Sequence, residues 1–476
     1  MPTPSRELAY LFRHALLRDA AYQLQLPGDR ARLHAVAFSA IEDLAGGRPP
    51  ESPPLVVSDA APSAPHPTDP FAHELAWHVR MSATDPAPDN GAAAALLLYL
   101  RRAAEFSQRQ FRHEAAQDLW LQLAGISTGT SRAMALYRAG IAASTRGLSR
   151  EAEEFFLEMR RLAREARDRR LEAGGLGILA KLWQDTGRLV EAERMMKEAL
   201  VILRDTCDRR GEAAVLGDLA NIYRMTGRLD LAERTLERSL AAYGEVSDRL
   251  GEGIARGNLA SVYRATNRVA KAERSFERAL SLVRGAGSRS SEAFLLGNLA
   301  NLHSAAGRPR QARRTLEQAL AIHREVGNRR IEAMSLVNLA TMRQFTGRFE
   351  EAERLHHQAL EAVREVGDIR SEGISLGNLA GIYRDSGRAG LAGQTYLKAL
   401  GLHRAVGNRE FEGSHLCEYA LLLLARGRTG KSRETWRKGA AILRKINDVQ
   451  ELKTVTRIMR QACRKAGVSP FHRGGA

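Results

Sequence analysis

A Gly-Arg pair returns at a fixed interval of 40 residues along most of the chain. The pairs are Gly187-Arg188, Gly227-Arg228, Gly307-Arg308, Gly347-Arg348, Gly387-Arg388 and Gly427-Arg428. Asn267-Arg268 fills the one vacant slot, and Gly147 lies one step before the first pair. Glycine and asparagine both tolerate the left-handed backbone conformation that ends a helix. The interval therefore predicts a tandem array of one repeated unit, and we expect each arginine to be solvated or to cap a helix end.

Further columns of residues keep the same step. Alanine occupies 152, 192, 232, 272, 312, 352 and 392, leucine occupies 200, 240, 280, 320, 360 and 400, and glutamate occupies 172, 212, 252, 292, 332, 372 and 412. An aromatic residue or its substitute stands at Trp183, Tyr223, Tyr263, His303, Arg343 and Tyr383. Aspartate or asparagine precedes each first helix at Asp208, Asp248, Asn328, Asp368 and Asn408, where it can serve as an N-cap. So many columns in register define one structural unit.

Each unit reads as a helical hairpin. In the unit at 212–246, Leu216, Leu219 and Tyr223 share one helical face, the turn follows, and Leu229 and Leu236 begin a second apolar stripe. One hairpin cannot bury its apolar face alone, but stacked hairpins can. We therefore predict an all-α solenoid of about eight such hairpins at 131–446, with a degenerate helical pair before it and a capping helix after it.

The columns resemble the tetratricopeptide repeat, as in Leu179-Ala180, Trp183, Gly187 and Ala192. The longer unit is similar to the branch of that family which includes kinesin light chains, the Pins/LGN polarity adaptors and many bacterial regulators. The resemblance implies a right-handed superhelix whose first helices line the concave surface. It also implies a function in holding other proteins.

The N-terminal part carries a second resemblance. Phe12–Tyr22 (FRHALLRDAAY), followed by Arg30–His34, resembles the segment that precedes the repeat array in bacterial signalling ATPases of the STAND/AAA type. We divide the chain into a helical segment at 1–45, a proline-rich linker at 46–70, degenerate helical pairs at 71–130, the array at 131–446, the capping helix at 447–466 and a disordered tail at 467–476. The resemblance implies a sensor or regulatory arm, or a fragment, of such an ATPase or of a transcriptional regulator.

The charge and the sequence motifs limit which classes of function are expected. The formal charge is +17, which favours acidic partners, but arginine alternates with glutamate and forms no dense tract, so non-specific nucleic-acid binding is the lesser alternative. The phosphate-loop-like stretch 425–432 follows a predicted helix and contains the repeat's own turn, and the GISTG sequence at 125–129 is expected to be a loop between helices. The three cysteines lie far apart. We expect no enzyme, no cofactor, no metal and no membrane span, and we expect a cytoplasmic location.

One constellation points to binding. The first helices carry Asp218, Asn258, Asn298, Asn338 and Asn378 at one repeat position, with Asn221 and Asn301 one turn on and Arg224, Arg264 and Arg384 beside them. An amide donates and accepts hydrogen bonds at once, so a column of amides can grip an extended peptide backbone. In related repeat proteins this asparagine contacts bound peptide, and the resemblance implies the same here. The same amides could instead bond between adjacent helices and only fix the spacing of the repeats.

Overall fold

A computed structural model describes residues 22–53, 63–82, 90–327, 329–446 and 448–471. These residues form helices joined by turns, and no strand occurs among them, which confirms the predicted all-α class. Those up to Ala139 form one compact unit and those from Gly140 form a second. Phe12 to Ala21 of the N-terminal resemblance, Asn328 and the last five residues lie outside the described part.

The first unit contains α1 (Pro27–Leu44), a short 3-10 helix (Asp69–Phe71), α2 (Ala72–Ser82), α3 (Asn90–Arg109), α4 (His113–Ile126) and the start of α5 (Gly129–Thr145). Buried Asp69 accepts a hydrogen bond from Arg102 at 2.8 Å and also pairs with Arg109. The Ser63 N–H donates to Glu105 of α3 at 3.1 Å. These bonds attach the C-terminal end of the proline-rich segment to α3.

The second unit continues the array. Its helices are α6 (Ser149–Glu165), α7 (Arg169–Asp185), α8 (Leu189–Asp205), α9 (Arg209–Met225), α10 (Leu229–Glu245), α11 (Arg249–Ala265), α12 (Val269–Gly285), α13 (Arg289–Ala305), α14 (Pro309–Val326), α15 (Arg329–Phe345), α16 (Phe349–Glu365), α17 (Ile369–Asp385), α18 (Ala389–Ala405), α19 (Arg409–Ala425), α20 (Thr429–Lys445) and α21 (Val449–Lys465). Odd-numbered helices from α5 to α19 are the first helices of the hairpins, and even-numbered ones from α6 to α20 are the second.

Local chemistry begins and ends each helix. The Asp208 carboxylate accepts from the Gly211 N–H at 2.9 Å and so caps α9. Asp168, Asp248 and Asp368 cap α7, α11 and α17 in the same way. At the other end of α9, Gly227 has a φ of 77°, and the Arg228 N–H donates to the Tyr223 carbonyl at 2.8 Å. This is the Schellman arrangement that favours glycine.

The capping helix α21 is amphipathic. Val455, Met459 and Cys463 are buried against Trp436 and Leu443 of the last hairpin, whereas its arginines and lysines face away. One apolar face and one charged face are what the end of a solenoid requires, because no further repeat covers it.

The arginine that follows a turn glycine also has a role that was not expected. The Arg228 guanidinium lies 4.6 Å from the Tyr223 ring centroid and bonds Glu193 of the preceding hairpin at 2.5 Å. Arg188, Arg268 and Arg388 stack on Trp183, Tyr263 and Tyr383 and pair with Glu153, Glu233 and Glu353. We call this glutamate–arginine–aromatic group the clamp. These arginines stand at the N-cap positions of the second helices and stay partly exposed, and they also link successive repeats, a contact that the sequence did not predict.

The array curves back on itself. A Cβ on Gly147 would meet Val406 at 2.8 Å, and one on Gly187 would meet Ile446 at 2.8 Å, so in each case the partners are 259 residues apart. Arg370 also donates to the Asp185 carbonyl at 2.5 Å. Most successive first helices pack directly against each other, more extensively than successive second helices do. The first helices therefore form the inner, concave side of a superhelix that returns after about six and a half 40-residue units.

Candidate functional site

The predicted asparagine column lies on the first helices of the concave side. Asn258, Asn298, Asn338 and Asn378 are half-buried on α11, α13, α15 and α17. Within the described residues, none of these four amides has a hydrogen-bond partner in the protein. A column that spaced the repeats would bond between helices, so this geometry leaves both the donor and the acceptor of each amide open to a ligand.

A glycine precedes three of the four asparagines, and its surroundings differ between them. A Cβ on Gly257 would meet Leu295 of the next first helix at 2.2 Å, whereas one on Gly297 would meet nothing within 4 Å. Gly377 likewise makes room for His415. Close helix packing therefore explains Gly257 and Gly377, but not Gly297.

The N-terminal end of the column is polar and basic. Arg224 donates to the Asn221 side-chain oxygen at 2.7 Å, so Asn221 is partly satisfied by its own helix. Arg264 forms no ion pair with any described residue. Burial lowers the pKa of Arg264. Burial and the charge of Arg264 lower the pKa of Arg224, an effect that Glu410 and Asp448 partly offset, and both arginines stay charged at neutral pH. Burial raises the pKa of Asp218, an effect that Lys181 partly offsets. Neither guanidinium group forms an ion pair with a described residue, and only Arg224 has carboxylates, Glu410 and Asp448, near enough to act on its charge. This end of the column can therefore accept an anion.

The C-terminal end is acidic, which the sequence interpretation missed. Glu418 continues the asparagine column one step beyond Asn378, and Asp385 and Glu410 lie on the same helices. Arg384 donates to Asp385 at 2.8 Å and lies 3.8 Å from Glu418, so this predicted site residue is already paired. Burial raises the pKa of Glu410 and of Glu418. We call Asp385, Glu410, Glu418 and Glu451 the acidic stretch; the 40-residue register alone could have shown Glu418.

An apolar row runs beside the amide column and was also missed. Ile254, Phe294 and Met334 stand four residues before Asn258, Asn298 and Asn338 and are 41%, 45% and 50% exposed. Residues four apart lie on one face of a helix, so the row follows the column along the concave side. Asn301, one turn on from Asn298, is exposed on α13.

Other kinds of site find no support in the described residues. No group of three or more His, Cys, Asp or Glu side chains there could hold a metal ion, and none of the described helices is long and apolar enough to cross a membrane. The phosphate-loop-like stretch at 425–432 is the turn between α19 and α20, with Gly427 at a φ of 71°. The GISTG sequence at 125–129 joins α4 to α5.

Comparisons agree with this architecture. A family model described as tetratricopeptide repeat matches residues 175–245, 251–325 and 331–388 and describes a repeat rather than a catalytic domain. A search of curated protein sequences finds no significant match. Among solved structures, a Rap protein complexed with Competence and Sporulation Factor is 12% identical with a TM-score of 0.50, covering 87% of this chain and 99% of that one.

Two further structures share less of the geometry. A signal transduction ATPase with numerous domains and a tetratricopeptide repeat sensor, from Pyrococcus horikoshii, is 15% identical with a TM-score of 0.43, over 95% of this chain and 62% of that one. The TPR-like repeats of a kinesin light chain from Podospora anserina are 21% identical with a TM-score of 0.34, over 42% and 98%. With the hairpins, caps and columns described above, the 40-residue units are therefore tetratricopeptide repeats.

Proposed function

We propose that this protein is an interaction scaffold whose concave groove binds an extended, acidic segment of a partner protein. The observation that carries the proposal is the column of half-buried amides at Asn258, Asn298, Asn338 and Asn378, none bonded to another described residue. Half-buried polar groups lose water when a ligand covers them, so a partner must replace those hydrogen bonds. An extended backbone offers one donor and one acceptor per residue and meets that need.

The charges of the groove give the bound segment a direction. Carboxylates of the segment would pair with Arg224 and Arg264 near the start of the column. Basic residues would face the acidic stretch, which follows Asn378 along the column. Apolar side chains that alternate with polar ones would lie on Ile254, Phe294 and Met334, because successive side chains of an extended chain point to opposite sides. Association steered by these charges weakens as salt rises.

A second candidate role is that of a sensor arm for a signalling ATPase, present in the same polypeptide or acting in trans. Its basis is the resemblance of the N-terminal segment, of which Arg30–His34 lies on α1, to the region that precedes the repeat array in such ATPases. Capture of a nucleoside triphosphatase from the source cell by the full chain, with a change in its hydrolysis rate, is the expected result. An unchanged hydrolysis rate would reject this role.

The groove is tested by selecting 12-residue peptides from a random library on the full chain. We expect selected peptides to be acidic at one end and basic at the other. Asn298→Ala with Asn338→Ala should weaken them about tenfold or more, because two amide contacts are lost. Gln318→Ala with Gln358→Ala is the matched control, since these exposed amides lie one repeat apart on second helices. Equal affinity for the wild type and the groove variant would contradict the proposal.

A further inference from the structure

The clamp is absent at the junction between the hairpins α13–α14 and α15–α16. Where other hairpins carry Glu193, Glu233, Glu273 and Glu353, the hairpin of α13 and α14 carries Arg313. Where the next first helix carries Trp183, Tyr223, Tyr263, His303 and Tyr383 elsewhere, α15 carries Arg343. Two members of the clamp are thus replaced by cations, both at the same place.

A cavity of about 470 Å³ occupies this junction. Arg310, Arg313 and Arg343 line it together with Ser304 and Thr346, and the Thr346 hydroxyl donates to the Arg343 carbonyl at 2.9 Å. Leu339, Met342 and Pro309 supply its apolar surface. Among the first-helix pairs from α7 to α19, α13 and α15 pack against each other least extensively within the described residues. The missing aromatic ring and the looser packing account for the space.

The arginines at the cavity outnumber the carboxylates that pair with them. Arg313 pairs with Glu317 at 3.2 Å, both about half exposed. Arg343 and Arg348 share one carboxylate, Glu351, at 3.2 and 3.0 Å. Arg310 has no ion-pair partner in the described part of the chain. These four guanidinium groups therefore meet only two carboxylates.

The start of helix α14 adds to the excess of positive charge at the cavity. Pro309 is the first residue of α14, whose first turn contains no acidic residue, as is also the case in α12, α18 and α20. The start of a helix carries partial positive charge, so Arg310 there is a like charge that the helix itself does not favour. An anion in the cavity would offset both the charge of Arg310 and the partial positive charge at the start of α14.

From this geometry we infer that the cavity binds a small phosphorylated ligand of nucleotide size. A phosphate group accepts bidentate hydrogen bonds from guanidinium groups and single ones from hydroxyl groups. The apolar surface of Leu339 and Met342 takes a flat, uncharged part of the ligand. A volume of about 470 Å³ lies within the range of small-ligand pockets, roughly 300–1,000 Å³. The site is separate from the amide column, and it does not depend on the peptide-binding proposal.

The test is isothermal titration of the full chain with ADP, adenosine and inorganic pyrophosphate at low and moderate salt. We expect ADP to bind at least about tenfold more tightly than adenosine, and more weakly at higher salt. Pyrophosphate that binds as tightly as ADP would make this a site for the inorganic anion and overturn the apolar part of the inference. If ADP bound no more tightly than adenosine, the inference of a phosphate-binding site would be overturned.

One double variant separates binding from folding. Arg313→Glu with Arg343→Tyr restores the residues of the clamp, so Arg348 can stack and pair as Arg228 and Arg268 do. It should raise the melting temperature while ADP affinity falls at least about tenfold. Arg314→Ala removes an exposed arginine that does not line the cavity and should leave ADP affinity unchanged. Unaltered ADP binding by the double variant would reject the site.

Discussion

Two neighbouring parts of the array share the same helical backbone but differ in the side chains at the repeat columns. The hairpins α9–α12 keep the repeat columns: two clamps connect them to their neighbours, and Phe276 is fully buried. The hairpins α13–α16 depart from the columns at Arg313, Arg343 and His356. The helices have nearly the same lengths in both parts. The buried alanine column, the helix caps and the turns therefore maintain the hairpin. Residues in the other columns can differ in chemistry without loss of the hairpin.

His356 gives the largest expected effect of this difference. Other hairpins place Phe156, Leu236, Phe276 or Tyr396 at its position. The imidazole is fully buried with neither ring nitrogen bonded to a described residue, and this burial lowers the pKa of His356 to about 4. Below its ordinary pKa of about 6.5, the unfolded chain binds a proton that the folded chain does not. The free energy of unfolding therefore falls as the pH drops from 6.5 towards 4, by about 3 kcal/mol from this group.

His356→Phe should remove that contribution and also relieve an unbonded buried polar group, which adds about 1 kcal/mol at neutral pH. Urea unfolding at pH 7.5 and 4.5 measures both effects. Gln358→Ala is the control, because the Gln358 side chain is exposed on the same helix and does not titrate, so this variant should change neither value. An unchanged pH dependence in His356→Phe would show that the imidazole can be protonated without loss of the fold.

A matched pair of glycines tests the packing of successive first helices. Gly257→Ala should destabilise the protein by about 1–3 kcal/mol, because its Cβ would overlap buried Leu295. Gly297→Ala meets open space and should stabilise it by about 0.5–1 kcal/mol through helix propensity. The free energy of unfolding in urea decides between them, and two shifts of the same sign would contradict the packing described here.

The clamp itself should show the smallest effect. Arg228→Ala removes a stacking contact and an ion pair that are both partly exposed, so we expect a loss of about 1 kcal/mol. Arg348→Ala removes an arginine that has no aromatic ring at its column position, since Arg343 stands there, and should cost about 0.5 kcal/mol or less. Thermal melts of the two variants compare the junctions directly. Equal losses would mean that the stacking contributes nothing.

The period predicted the helices, turns and capping helix, because local signals such as Asp208 and Gly227 act within a few residues. The partner of each turn arginine was not predictable in this way. Glu193 lies 35 residues before Arg228, and only the stacking of hairpins brings them together. The pairing of Arg384 with Glu418 depends on the same stacking. The peptide-binding residues remain a prediction, and the acidic stretch shows that a column in register can change its chemistry.

The most direct test of the central claim locates a bound peptide. A photo-crosslinking amino acid replaces Asn301, which is exposed on the concave side, or Gln318, which is exposed on the second helix α14. A selected acidic–basic peptide should crosslink to the first variant and not to the second, and its acidic end should be the part attached nearer to Arg264. Crosslinking through position 318 alone would place the interaction outside the groove and contradict the account.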